Sequence, residues 1–365
     1  MSIALAEAPK STSVPAKSNS QPQSLTEAYY TICPVFTASN IAVELGWFDE
    51  EFARAGAQAI YLRSLKNNHG FLPHFTHSLP NLFRDGGAIP PLQAKADLSD
   101  TTLVGLTWGQ RGGVIVVKSA SRIRRIADLK GRRIGLFRSL NSGKVDFHRA
   151  TSHRGILLAL ELADLSAKDA ELVDLDEADA FNLPVANKPS EVWPVRRRQN
   201  PVLEDKEVLA LRDGKIDALY VNAARAEVLV NTGEYTVIED LSRRPDWTLQ
   251  VANGPYPITV STPFAKEHPE VVVAFLRASI RAGRWANSHR SAAAEIFTRV
   301  TASENPALIE QLIADIDFVP SLSPLNLAAI GLQQDFLREH GYQKGNVDIA
   351  KWADSSYLEK AHRSF

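Results

Sequence analysis

Alternation of strand-like and helix-like segments between Ala28 and Thr107 is the feature that most restricts the folds open to this chain. Ala28 to Ile32 (AYYTI) is aromatic and β-branched, as strands are, and stops at Cys33-Pro34. Ser39 to Leu45 opens a helix, and Gly46-Trp47-Phe48-Asp49-Glu50-Glu51-Phe52 continues helical after a glycine. Ala57 to Leu65 reads as a second strand, and a loop with Asn67, Asn68, His69 and Gly70 leads towards His74. Pro90 to Ala96 is the next helix and Thr101 to Thr107 (TTLVGLT) the next strand. Such alternation predicts a parallel sheet with helices on its faces, whose ligands sit outside the carboxyl ends of the strands.

At 365 residues the chain exceeds one compact core, so a second lobe is expected. It opens after the apolar run Gly112 to Val117, where Lys130-Gly131-Arg132-Arg133-Ile134-Gly135-Leu136-Phe137 reads as a strand entered through a glycine turn. Gly155 to Ala163 predicts a short apolar helix, with Ser166 the N-cap of the next. Glu207 to Asp213 predicts a helix, Gly214 to Val221 a strand, and Ile258 to Ser261 the crossing back to the first lobe. Between them, Asp174 to Pro201 holds four prolines and the run Arg196-Arg197-Arg198, and reads as a long surface insertion or mobile loop with the arginines on a solvated face. Pro269 to Asn287 has one apolar stripe, Val272, Phe275, Leu276, Ile280 and Trp285, and further helices are expected at Ala307 to Ile316 and Pro324 to Glu339. The domain reading is a disordered tail at 1–24, a discontinuous first lobe at 25–118 plus 255–365, and a second lobe at 119–254.

Composition narrows the partners. A formal net charge of −1 offers no global attraction to nucleic acid or to an acidic membrane surface. The single cysteine excludes an intramolecular disulfide and any cysteine-based zinc cluster, and suits a reducing compartment. Residues 1–24 lack the apolar stretch of a secretory signal, and no window approaches the roughly 18 apolar residues of a membrane span. The expected setting is therefore the cytoplasm, with small molecules as partners, no nucleic acid, no membrane, no metal, and a monomeric state. The chain has no internal repeat, P-loop, HExxH or GxSxG.

Chemistry gathers in His74 to Pro91 (HFTHSLPNLFRDGGAIPP). Histidine, arginine and a Gly-Gly pair bounded by prolines cannot form a regular helix, so the segment is a loop or a strand-loop transition, where sites are built. Gly86 and Gly87 can take positive φ and let the backbone approach an anion, and Arg84 offers a planar fork of donors. An ordinary surface turn with a solvated arginine is the alternative for these residues. Cys33 by itself is either inert packing or a reactive thiol.

The order of these motifs resembles a known family. The -G-R-R-I-G-L- and -G-K-I-D-A-L-Y- segments, at Gly131 and Gly214, resemble sulfonate- and taurine-binding proteins of the two-lobed periplasmic-binding-protein-like (type II) α/β fold, with a cleft between lobes. Cys33-Pro34-Val35, Gly46 with its aromatic neighbour, His74-Phe75-Thr76, Pro80, Arg84, Gly86-Gly87, Ile89-Pro90-Pro91, Arg111, Gly113, Asp128-Leu129, Asp217-Ala218-Leu219-Tyr220 and Trp285-Ala286 resemble the desulfinase family of dibenzothiophene desulfurisation. The sequence differs from that pattern at Thr31, Ile32, Phe36 and Thr37.

The resemblance implies a cofactor-free enzyme that cleaves an aromatic sulfinate to the arene and sulfite. Cys33 is then the catalytic thiol, His74 the neighbour that tunes it, and Arg84 with Gly86 and the backbone of Gly87 the clamp on the sulfinate oxygens. Two routes stay open for Cys33: attack on the sulfinate sulfur, or protonation of the ring carbon, towards which a bound anion tilts the thiol. A solute-binding protein without catalysis is the rival reading, and a thiol enzyme acting on another bond is a third.

Overall fold

The computed structural model describes residues 25–66, 71–108, 112–179, 184–250 and 253–365. The expected tail at 1–24, the loop residues Asn67, Asn68, His69 and Gly70, and Gly109-Gln110-Arg111 lie outside the described residues.

Among the described residues ten strands form two sheets: β1 (Thr26–Ile32), β2 (Ala57–Tyr61), β3 (Leu82–Asp85), β4 (Thr101–Thr107), β5 (Val114–Lys118), β6 (Arg133–Ser139), β7 (Glu171–Glu177), β8 (Ala218–Val221), β9 (Tyr235–Asp240) and β10 (Tyr256–Ser261). The first sheet runs β2-β1-β3-β10-β4 and the second β7-β6-β8-β5-β9. Neither is purely parallel as expected. In the first, β2, β1 and β3 are parallel while β10 runs antiparallel to β3 and β4; in the second, β7, β6 and β8 are parallel and β5 is antiparallel to β8 and β9. The antiparallel members are the strands by which the chain changes sheets, a topology that local alternation does not encode.

The expected lobe boundary at 118 moves. β5 bonds β8 and β9 of the second sheet, so the first crossing falls between Thr107 and Val114, and the return crossing falls between Asp240 and Tyr256. In the expected insertion at 174–201, residues 180–183 lie outside the described residues; its start completes β7, and Trp193–Gln199 is a helix. Of its arginines, Arg198 is exposed as expected, and the other two are not simply solvated. Arg197 bonds Glu304 and the Thr301 carbonyl, and Arg196 is partly buried near Asp179 and Asp205.

Helices α1 (Ala38–Glu44) and α2 (Trp47–Arg54) pack with the long helix Pro269–Ser288 over the first sheet. Phe275 from that long helix lies 4.7 Å from both Phe48 and Phe83, all three fully buried. Burying each such ring contributes about 2–3 kcal/mol, so this layer fixes the sheet on which the site is mounted.

Candidate active site

β1 and β3 bring the site together through their register. Thr31 pairs with Arg84 and Ile32 with Asp85, so Thr31 and Arg84 share one face and Asp85 points to the other. Cys33 N–H extends the ladder one step to the Asp85 carbonyl at 2.9 Å, and Pro34, with no N–H, ends it. The turn that follows is held by Asn40, whose Nδ2 donates to the carbonyls of Cys33 (3.0 Å) and Val35 (2.9 Å).

His74 arrives on the short helix α3 (Pro73–Thr76), started by Pro73 and stopped at His77 in the left-handed region (φ 53°). The imidazole bridges Thr31 of β1 and Cys33 just beyond it: Nε2 lies 3.3 Å from Cys33 Sγ and Nδ1 lies 2.8 Å from Thr31 Oγ1. Phe71 stacks on its face at 4.6 Å, and Phe75 meets it edge-on at 4.9 Å.

Arg84 is 1% exposed, with Nε donating to the His74 carbonyl (2.8 Å), Nη1 to the Gly87 carbonyl (3.0 Å), and Nη2 approaching Cys33 Sγ at 3.6 Å. Two of its edges thus hold the site's backbone, and the Nη2 edge faces the thiol. The glycine pair serves by space more than by torsion. Only Gly86 uses positive φ (146°), and a Cβ there would fall 2.3 Å from Cys33 Sγ; at Gly87 it would fall 2.5 Å from Asn253. The Gly87 N–H is free to face Sγ and hydrogen-bonds it.

Burial sets the protonation states. It pushes the Cys33 thiol above its ordinary range, against the opposing pull of Arg84 and the Gly87 N–H. It pushes His74 well below the usual imidazole value, helped by the positive charges of Arg84 and Arg63. At neutral pH the pair is therefore a thiol and a neutral imidazole. That imidazole carries one N–H: either Nδ1–H donates to Thr31 Oγ1 and Nε2 accepts from the S–H, or the Thr31 hydroxyl donates to Nδ1 and Nε2–H faces the sulfur. On the far face of β3, buried Asp85 lies near Thr37 and Ser39, and burial raises its carboxyl to about 7.

Cys33, His74, Arg84, Gly86 and Gly87 thus converge as the sequence predicts. Thr31, Asn40, Phe71 and Asn253 were not foreseen, because their roles come from register and tertiary packing. His77, the residue that caps the end of α3, is itself buried; its Nε2 donates to the Leu82 carbonyl at 3.0 Å, and burial lowers it to about 4. A cavity of about 220 Å³ opens beside the Cys33 turn, between Pro34, Val35 and Phe36 on one side and Ala223 and Ser242 on the other. Among the described residues no group of acidic, cysteine or histidine side chains is arranged to hold a metal, and no helix is long and apolar enough to cross a membrane.

The two sheets and the thiol-imidazole pair at the carboxyl ends of β1 and β3 define a protein of periplasmic-binding-protein-like fold. No protein-family model matches the chain. The chain is similar to 2'-hydroxybiphenyl-2-sulfinate desulfinase of Rhodococcus erythropolis, at 28% identity over 362 residues covering 91% of this chain and 92% of that protein. The same identity and coverage hold for the desulfinase of Rhodococcus qingshengii. Among solved structures, a cysteine-to-serine mutant of the desulfurization enzyme DSZB in complex with biphenyl-2-sulfinic acid superposes with a TM-score of 0.72, at 24% identity over 93% of this chain and 99% of that one. The alkanesulfonate-binding protein SsuA from Xanthomonas axonopodis pv. citri, bound to MOPS, shares the fold at a TM-score of 0.61 and 18% identity, over 91% and 99% of the two chains. The resemblance drawn from motifs extends over nearly the whole chain.

Proposed function

We propose that this protein is an arylsulfinate desulfinase, converting an aromatic sulfinate and water to the arene and bisulfite. The observation that carries the reading is the part-buried Cys33–His74 pair, 3.3 Å apart, under the Arg84 Nη2 edge and the Gly87 N–H. A solute-binding protein has no use for a neutral thiol-imidazole pair at its ligand site. The similarity to desulfinases at 28% identity supports the same chemistry.

In this reading Arg84 Nη2 and the Gly87 N–H donate to the sulfinate oxygens, at about 1.5–3 kcal/mol for each charge-assisted bond. Cys33 S–H protonates the ring carbon that bears sulfur. The C–S bond breaks with its electron pair left on carbon, and sulfur dioxide departs. Water adds to the sulfur dioxide, giving bisulfite, and its released proton returns to Cys33 by way of His74. Burial supports this route over thiolate attack, since it disfavours the ionised sulfur. Thr31 holds the imidazole tautomer that receives the proton, which makes it a positioning residue.

The cavity beside Pro34, Val35 and Phe36 is below the usual size of ligand pockets, about 300–1,000 Å³, which supports a compact aryl group such as biphenyl. The reading keeps the monomeric state and the cytoplasmic setting expected from the sequence, since a single cysteine that must remain a thiol suits a reducing compartment. The test is sulfite release from 2'-hydroxybiphenyl-2-sulfinate by the wild type and by Cys33→Ser. Turnover in the variant should fall by about 10³-fold or more with an unchanged melting temperature. Equal rates in the two proteins would sink the assignment of Cys33.

A further inference from the structure

Arg63 sits in the turn Leu62–Ser64 that follows β2, and it is 1% exposed. Its guanidinium carbon lies 3.6 Å from the centroid of Phe71, the ring that stacks on His74, so one aromatic layer separates it from the imidazole. Trp193, on the helix Trp193–Gln199, flanks it at 5.5 Å. A guanidinium so deeply buried ordinarily has carboxylate or carbonyl acceptors around it. Arg63 Nε and Nη1 have no hydrogen-bond partner among the described residues. The groups acting most strongly on its charge are Tyr61, Arg196 and Cys33, and burial lowers it to about 10.

Two neighbouring groups extend the cluster. Trp193 Nε1 is also buried without a partner among the described residues, and the buried Tyr61 hydroxyl has the Arg63 guanidinium beside it as its hydrogen-bonding neighbour and feels its charge. With its oxygen turned to the guanidinium the hydroxyl still has its hydrogen to donate, so what Arg63 Nε and Nη1, Trp193 Nε1 and the Tyr61 O–H lack is an acceptor, and the positive charge favours an anionic one. Tyr61, Arg63 and Trp193 lie outside the motif positions that carry the family resemblance.

We propose that Arg63, with Tyr61 Oη and Trp193 Nε1, binds a second anionic oxygen group on the aromatic sulfinate, a carboxylate or an ionised phenol, while Arg84 and Gly87 take the sulfinate. The inference rests on the desulfinase reading above. It makes the ligand doubly acidic, in keeping with two buried arginines that both act on the Cys33 sulfur. Charge-assisted bonds of this kind change binding by about 10- to 150-fold each.

The experiment is calorimetric binding to Cys33→Ser protein, with and without Arg63→Met. The three ligands are biphenyl-2-sulfinate, its 2'-hydroxy derivative and its 2'-carboxy derivative. Arg63→Met should weaken the carboxy ligand by about 30-fold or more and the parent by less than about threefold. The hydroxy ligand identifies the source: weakening like the carboxylate points to a phenol oxygen, and weakening like the parent points to a carboxylate. Tyr61→Phe keeps its ring against Tyr30 and loses only the hydroxyl, so it carries the test if Arg63→Met does not fold; it should weaken the carboxy ligand about fivefold. Equal weakening of all three ligands, no weakening of any, or no binding of the carboxy ligand to the Arg63 protein would overturn the proposal. Because binding is read without turnover, a wild type that binds these ligands and releases no sulfite would sink the desulfinase reading alone.

Discussion

The two sheets have the same hydrogen-bonding plan and opposite electrostatics. β2-β1-β3 and β7-β6-β8 are matching parallel triplets, β10 and β5 join them antiparallel, and the outer pairs β10–β4 and β5–β9 both contain a register shift. Position for position, the end of β1 corresponds to the end of β6, and the end of β3 to the end of β8. In the second sheet those ends are structural. Lys144 and Ser139 Oγ meet Asp179, Arg138 meets Asp174 and Asp176, and Asn222 after β8 caps the following helix. In the first sheet they carry a thiol, a neutral imidazole and a buried guanidinium turned to sulfur. The same scaffold therefore supports a site where charges are left for a ligand, and holds itself together where they are paired.

Removing one partner of the second sheet's pair should cost most. Lys144→Met leaves the Asp179 carboxylate to the Ser139 hydroxyl and the charge of Arg196 and is expected to destabilise the protein by about 3 kcal/mol, measured by urea unfolding, with turnover per folded molecule within about threefold of wild type. A turnover loss with full stability would erase the distinction between the two ends. In the first sheet Arg84→Lys should do the reverse. An ammonium cannot reach the His74 carbonyl, the Gly87 carbonyl and a ligand together, so kcat/KM should drop by about 100-fold. Wild-type kinetics in that variant would show that Arg84 is packing alone.

Asp85 sharpens the contrast through pH. Its folded value, about 7, lies above the 3.8 of a free carboxyl, so the folded state holds a proton that the unfolded state releases. The contribution is intact below about pH 4 and is lost as pH rises towards 7. Asp85→Asn should remove that slope and leave the variant more stable than wild type at pH 8, by on the order of 2 kcal/mol. Parallel stability curves for the two proteins between pH 4 and 8 would show that the carboxyl is not held protonated.

Legibility in the sequence followed local pattern. Thr101–Thr107 and Pro324–Glu339 have the bounds that periodicity predicts, because their apolar spacing matches one buried face. The helix Phe147–Glu161 begins eight residues before the expected Gly155, since its first half, His148 to Arg154, is polar and finds its partners far away, as Arg154 does at the Leu332 carbonyl. β7 has no strand pattern in the sequence because its acidic residues are neutralised by Arg138 and Arg149 from elsewhere in the fold. At the site, Cys33, His74, Arg84 and the glycine pair were legible through motif order. Thr31 needed the β1–β3 register, and Arg63 needed the stack through Phe71, both long-range facts.

The measurement closest to the central claim is the initial rate of sulfite release from 2'-hydroxybiphenyl-2-sulfinate between about pH 6 and about pH 10. With a raised thiol as the acid and His74 neutral throughout, the rate should be flat across neutral pH and fall only as Cys33 ionises on the alkaline side. A rate that climbs with the ionisation of the thiol, or no sulfite at any pH, would contradict the account.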